Sequence, residues 1–315
     1  MAPPLRRKKL EKFEHFDECP VCASFSLSSF KTGTFDISNL SKDHIKITDR
    51  DYGKTWDLSR CNRCSHVFAN PCPSQKIIQS LYEEIEDPAY QDEARGRSKN
   101  FQRIVKSLNK IHPERGRLFD IGAATGILLN IAKNQGWEVD GIEPSRWAVG
   151  MAKEQYHIAI REGLFEKAAL PREHYDAVTM VDFIEHIPHP LDAVSMAHQI
   201  LIPGGILCLV TPDIGSLAAR IFRKKWWHFR PGHLGYFSKK SVGFLLKRIG
   251  FRTIKMRKYA WTFSLHYLLS RKPALNFLAK NHVFASFFKK IPIKLALQDS
   301  LEIYARKVQP NEPLS

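Results

Sequence analysis

Cys19-Pro-Val-Cys22 and Cys61-Asn-Arg-Cys64 are two C-x-x-C pairs separated by 38 residues. Each pair can fold into a knuckle that presents two thiolates, and two knuckles complete a tetrahedral site for one zinc ion. A closed four-thiolate shell has no open position for chemistry, so such a zinc is structural. The gap is long for a ribbon, so strands must fill it. A second constellation is LFDIGAATGILLNIA. Here a strand ends in Asp120, and Gly122, Ala123, Ala124, Thr125 and Gly126 turn the chain into a helix. Small residues let a ligand approach the backbone, and the open helix N-terminus presents unpaired N–H groups. Glu143 ends the next strand, 17 residues after Gly126, where a carboxylate accepts both hydroxyls of a ribose. A third set is histidine-centred. His186, in DFIEHIPHP, falls just past a further strand, at the sheet edge where ligands bind in open α/β folds. Its ordinary pKa near 6.5 suits a general base. The segment KKWWHFRPGHLGYFSKKS brings Trp226, Trp227, His228, Arg230, His233 and Tyr236 within eleven residues. Trp faces stack on sugar rings and Arg pairs with phosphate, and His233 is a second candidate base.

These side chains need elements to hold them. Residues 1–75 carry short alternating stretches such as HIKITD and WDLSRC between turn residues, which predicts a small β-rich module. Residues 76–115 predict a helical linker that covers the cofactor site, with Phe101, Ile104, Val105 and Leu108 on one stripe. From 116 to 258, RLFDIG, WEVDGIE, YDAVTMVD and ILCLVTP read as strands separated by helices. That alternation predicts a parallel sheet covered on both faces. Residues 259–315 read as a basic, aromatic, helical region followed by a last strand, SLEIYARKV.

Composition narrows the class. The chain has 315 residues, 43% hydrophobic and 11% aromatic, which excludes disorder, collagen and coiled coil as the main state. The apolar runs fall short of the ~18–20 residues of a membrane span. The start, MAPPLRRKKLEKFEHF, is basic with no apolar stretch behind it, so a cytoplasmic protein is expected. Six cysteines in a reducing compartment then argue for metal or free thiols. The net charge of +16 is not spread evenly: residues 221–315 hold 20 Lys/Arg against 3 Asp/Glu, whereas residues 116–220 are net −5. Such a field attracts an anionic partner. Residues 259–296 are expected to rest on an anionic membrane surface, peripheral at its inner face. Nucleic acid fits less well, because the module is only mildly basic and the core is acidic.

Four segments occur in one order and spacing: FDIGAATG, GIEPS with Glu143, YDAVTMVDFIEHIPHP, and LIPGGILCLVTP. Together they resemble class I S-adenosylmethionine-dependent methyltransferases over roughly residues 90–252. The resemblance implies an α/β fold with a Rossmann-like, seven-stranded, mostly parallel sheet whose last strand inserts antiparallel. It implies S-adenosylmethionine as cofactor, with Asp120, Gly122, Ala124 and Gly126 along its methionine half and Glu143 on the ribose. Asp182 would face the methionine end, Leu164 and Phe165 would give apolar contact near the adenine, and Tyr82 or Tyr90 would cover the site. The family's loop usually reads D-x-G-x-G-x-G, and Ala124 replaces its middle glycine. The stretch from Trp226 to Tyr236 resembles a bacterial branch linked to sugars and cell-envelope polymers, as does the cysteine module followed by HVFANPCPS. The expected function is therefore methyl transfer to a hydroxyl of a sugar, or of a lipid-linked or envelope glycan precursor. His186 and His233 are the candidate bases, and Trp226, His228, Arg230 and Tyr236 the candidate acceptor contacts. Three alternatives stand beside it: a quinone or small-aromatic O-methyltransferase, an rRNA or tRNA methyltransferase with a zinc ribbon, and a non-catalytic scaffold.

Overall fold

The computed structural model describes residues 7–9, 12–271, 275–277 and 282–309. Six short strands come first: β1 (Arg7–Lys9), β2 (Phe13–Phe16), β3 (Leu27–Lys31), β4 (Leu58–Cys61), β5 (Val67–Ala69) and β6 (Cys72–Pro73). Three helices follow: α1 (Gln75–Glu83), α2 (Pro88–Asp92) and α3 (Ala94–Ile111). Then β7 (Gly116–Ile121), α4 (Ile127–Lys133), β8 (Trp137–Glu143), α5 (Arg146–Tyr156), β9 (Arg161–Glu162), β10 (Tyr175–Val181), α6 (Pro190–Ile200) and β11 (Leu201–Pro212) alternate. The chain ends with α7 (Leu217–Phe222), β12 (Gly235–Tyr236), α8 (Lys239–Ile249), β13 (Phe251–Ser264), α9 (Leu265–Ser270), a helix at His282–Phe288, and β14 (Pro292–Lys307).

Seven strands form one sheet in the order β13-β14-β11-β10-β7-β8-β9. β7, β8, β9, β10 and β11 pair in parallel, and β14 runs antiparallel to both β11 and β13. This is the expected sheet with one reversed strand. Its centre is mostly apolar because both faces are covered: Leu118, Phe119 and Ile121 of β7 and Ala177, Val178 and Met180 of β10 are fully buried, broken only where Asp120 and Thr179 pair with each other. α3 contributes Ile104, Val105 and Leu108 to one face, as its stripe predicts. α8 starts at a Ser238/Ser241 capping box and stops at Gly250, whose φ of 102° suits only glycine well.

Two expectations change. Residues 259–264 and 292–296 are strand, not helix: the β13/β14 hairpin continues past the sheet, pairing Trp261 with Leu295 and Ser264 with Pro292. The cause is a period-two aromatic stripe, in which Tyr259 and Trp261 sit 4.8 Å apart edge to face and Trp261 and Phe263 stack at 6.4 Å. Residues 272–274 and 278–281 of the expected membrane-facing region lie outside the described residues. HIKITD is not a strand either. Its first residue, His44, ends the 3-10 turn Lys42–His44, and turns follow. Its side chains are spent on the rest of the molecule: Thr48 bonds Asp87, and Asp49 pairs with Arg230 at 3.1 Å.

The cysteine-bearing sheet has the order β12-β5-β4-β3. Its edge strand, Gly235–Tyr236, therefore comes from far beyond residue 75, with Tyr236 opposite Val67. Trp56 also donates its indole N–H to the Pro231 carbonyl at 2.8 Å. The module and the large sheet are stitched by the segment between β11 and α8.

Candidate active site and metal centre

A cavity opens at the C-terminal ends of β7, β8 and β10, with α1, α2 and α3 over it. Asp120, Gly122, Ala124, Glu143, Leu164 and Asp182 line it, together with Tyr82, Tyr90 and His186. Gly126 sits behind the wall as the N-cap of α4. The turn is built from left-handed residues: Gly122, Ala124 and Gly126 have φ of 73°, 46° and 75°. At Gly122 a Cβ would lie 3.1 Å from the Phe183 ring, and at Gly126 it would lie 2.9 Å from the Ala152 Cβ. Ala124, where the family has glycine, adopts the left-handed conformation despite its methyl, at a cost of about 1 kcal/mol.

Glu143 is fixed before any ligand arrives. One carboxylate oxygen accepts from the Ala124 N–H at 2.9 Å and the other from the Ser145 N–H at 3.0 Å. Burial pushes its pKa up, and those two N–H groups oppose the shift. Asp120 accepts from the Thr179 hydroxyl at 2.5 Å, and burial raises its pKa to about 7. Asp182, also buried, is raised to about 6, while Arg97, His228 and Arg230 pull it down. Thr125 turns a buried hydroxyl into the cavity wall with no hydrogen-bond partner. An orphaned donor–acceptor, a pair of pre-set carboxylate oxygens and a glycine-walled turn fit a nucleoside with ribose hydroxyls and a cationic amino-acid end. Asp120, Thr125, Glu143 and Asp182 would hold S-adenosylmethionine. The sequence names Thr125 only as part of the turn, and it does not point to Arg97 or Phe183. Arg97 covers Tyr90 at 3.7 Å from the ring centroid, and only the α2–α3 packing brings it to the cavity.

His186 sits in the 3-10 turn Ile184–His186 and reaches the cavity. Its Nδ1 is 2.9 Å from both the Tyr82 hydroxyl and the Gly232 carbonyl oxygen. Burial first, and the Arg230 charge second, push its pKa down to about 3. A base that titrates near 6.5 is therefore not what the fold builds; the imidazole is neutral throughout the physiological range. His233 lies behind it, ring centroids 4.7 Å apart and nearly perpendicular, and does not line the cavity.

The residues expected to touch an acceptor sugar are packed inside. Trp226 and Tyr236 are fully buried and meet Phe229 at 5.4 and 5.1 Å. His228 pairs with Asp299 at 3.1 Å, and Arg230 with Asp49 at 3.1 Å and the Ile47 carbonyl at 3.0 Å. None of the four lines the cavity. Arg230 and His228 act on it through charge, opposing the raised pKa of Asp182. The dense aromatic motif is a hub that locks β12 to the large sheet.

The four cysteines converge. Their sulfurs all lie within 4.8 Å of one another, with Cys19–Cys64 at 3.6 Å and Cys22–Cys61 at 3.5 Å. A zinc–sulfur bond of about 2.3 Å makes the edge of a tetrahedron about 3.8 Å, close to these spacings. The two knuckles are built alike. In one, the Ala23 N–H bonds the Cys19 carbonyl; in the other, the Ser65 N–H bonds the Cys61 carbonyl. Ala23 and Ser65 both take positive φ, at 55° and 65°. The Cys19 thiol hydrogen bond holds Cys64 down at about 6, while burial pushes Cys22 up to about 12. All six cysteines are free, and the four can hold a metal ion.

The family described as "Methyltransferase domain" matches residues 93–256, just over half of the chain. The chain belongs to this methyltransferase family. The match begins at α3 and ends in β13, so it contains the glycine turn, Glu143 and the His186 turn. The ubiquinone biosynthesis O-methyltransferase of Histophilus somni (strain 2336) is 32% identical over 105 residues, 30% of this chain and 44% of that protein. The protein of the same description from Bradyrhizobium sp. (strain ORS 278) is 30% identical over 164 residues, 49% of this chain and 60% of that protein. The matched stretch thus spans about half the length of these relatives. A methyltransferase structure from Archaeoglobus fulgidus described as SAM-dependent is 18% identical with a TM-score of 0.45, covering 65% of this chain and 94% of that one. This methyltransferase chain adds to the family domain the cysteine-bearing sheet and the long β13/β14 hairpin.

Proposed function

We propose that the chain transfers the methyl group of S-adenosylmethionine to a hydroxyl of a flat aromatic acceptor, a phenol of quinone type. A structural zinc ion on Cys19, Cys22, Cys61 and Cys64 would hold its N-terminal module. The observation that carries the acceptor class is the cavity wall beyond the glycine turn: Ile47, Ile78, Tyr82, Ile85, Phe183 and Ile187. A planar apolar ring is the ligand for such a wall. The related O-methyltransferases named above point the same way. The sugar reading loses its support because Trp226 and Tyr236 are buried in the hub.

When bound, the cofactor supplies an electrophilic methyl on a sulfonium; transfer to the acceptor oxygen yields a methyl ether, S-adenosylhomocysteine and a proton. The chain's own residues bind, orient and exclude water. Glu143 receives the ribose hydroxyls, and Asp120 and Asp182 place negative charge at the cationic end. His186, neutral and tied to the Gly232 carbonyl, offers a hydrogen-bond partner to the acceptor hydroxyl at the wall. Tyr82 and Tyr90 line the cavity from α1 and α2.

The test is methyl-labelled S-adenosylmethionine incubated with the purified protein and extract from its own source, followed by fractionation. Label in organic-extractable phenols supports the proposal. Label in glycan, glycolipid or nuclease-sensitive material overturns the acceptor class, and no label in any fraction overturns the activity.

A further inference from the structure

Three metal-competent side chains meet beside the cavity: Glu185 and His186 on the 3-10 turn, and His233 just before β12. One donor atom of each lies within 4.8 Å of the other two. Glu185 and His233 are 1% and 3% exposed. Their donor capacity is not used up. One Glu185 oxygen accepts from the Thr211 hydroxyl at 3.0 Å, but Oε1 is buried with no hydrogen-bond partner. His233 Nδ1 is likewise buried without one. At His186 the Gly232 carbonyl can only accept, so the 2.9 Å contact puts the proton on Nδ1 and leaves the Nε2 lone pair free. Metal-bound histidines are held in this way, the second ring N–H donating to a backbone carbonyl. Arg230, whose charge is felt by both histidines, is engaged with Asp49 and the Ile47 carbonyl.

We infer that Glu185, His186 and His233 form a binding site for one divalent transition-metal ion, set behind the cavity wall that His186 contributes. Two imidazoles and a carboxylate suit Mn²⁺, Fe²⁺, Co²⁺ or Zn²⁺ better than Mg²⁺ or Ca²⁺. The site differs from the cysteine centre in kind: its shell is incomplete, as in catalytic rather than structural metal sites. His186 and Asp182 both line the cavity. An ion held there would take the His186 Nε2 lone pair and so change the hydrogen bond that His186 offers the acceptor hydroxyl, a positioning role in catalysis. This catalytic role rests on the methyltransferase reading of the cavity; the binding of the ion does not.

The experiment is a titration of the full chain with Mn²⁺, its cysteine site loaded with zinc, followed by electron paramagnetic resonance of the free ion. Soft thiolates keep the zinc while Mn²⁺ reports the nitrogen–oxygen site. One Mn²⁺ should bind per chain, and Glu185→Gln and His233→Gln should each weaken it at least tenfold. No stoichiometric uptake by the unaltered chain, or unchanged affinity in both variants, overturns the site. Should the variants fail to fold, the unaltered chain decides: Mn²⁺ must broaden the imidazole signals of His186 and His233 first, and broadening elsewhere overturns the proposal. S-adenosylhomocysteine titrated into the same samples separates the two readings. Its binding without Mn²⁺ uptake overturns the metal site alone, and Mn²⁺ uptake without its binding overturns the cofactor reading alone.

Discussion

At the scale of single residues, buried carboxylates and left-handed turns shape the cavity. Asp120, raised to about 7, and Asp182, raised to about 6, hold protons that the unfolded chain releases near pH 4. Their contribution to stability is full below pH 4 and is lost as the pH rises through 6 and 7. A cationic cofactor favours the ionised forms. Thermal stabilisation by S-adenosylmethionine should therefore be larger at pH 8 than at pH 6, and a shift independent of pH would contradict the placement of these two groups. Gly126→Ala puts a methyl 2.9 Å from the Ala152 Cβ at a φ of 75°. It should cost about 1–3 kcal/mol in urea unfolding, whereas Ala124→Gly should cost nothing, since it relieves a left-handed alanine. His186→Ala should lower turnover by about a hundredfold while the affinity for S-adenosylhomocysteine, measured by calorimetry, stays the same. The glycine turn, Glu143 and Asp182 were legible in the sequence because spacing fixes where strand ends fall. The protonation of His186 was not, because burial and the Arg230 charge come from segments remote in the chain.

At the scale of elements, the order of strands and helices from β7 to β11 was readable from alternating apolar runs. What was not readable is where aromatic and basic segments go. A Trp–Trp–His–Phe–Arg run has the same composition on a binding surface and in a buried hub, and only the pairing of Gly235–Tyr236 with β5 decides between them. The 259–264 stretch reads as helix from sequence because its period-two aromatics are embedded among long basic residues that suit either state. The knuckles give an element-level prediction. Cys61→Ser removes one thiolate and loosens β4, β5 and the β12 edge together. With zinc on the four cysteines as proposed, the variant should retain less zinc than the unaltered chain by elemental analysis and melt several degrees lower; equal zinc retention would remove Cys61 from the ligand set.

At the scale of the whole molecule, part of the C-terminal basic excess is spent internally. Arg257 pairs with Glu302 at 2.6 Å, Lys258 with Asp213, and Lys307 with Glu173 at 3.1 Å. Among the described residues no helix is long and apolar enough to cross a membrane. The two sheets depend on each other through Tyr236, Trp56 and the Arg230–Asp49 pair. A chain starting at residue 76 should therefore lose cooperative unfolding and expose the Trp226 hub to quenching by acrylamide. The central claim is that the β7–β10 cavity is built for S-adenosylmethionine, and calorimetric titration of S-adenosylhomocysteine tests it most directly. One site per chain is expected, and Glu143→Ala should weaken it by about tenfold to a hundredfold, the worth of hydrogen bonds to a charged acceptor. Absence of binding to the unaltered chain, or equal affinity in the Glu143→Ala variant, would contradict the account.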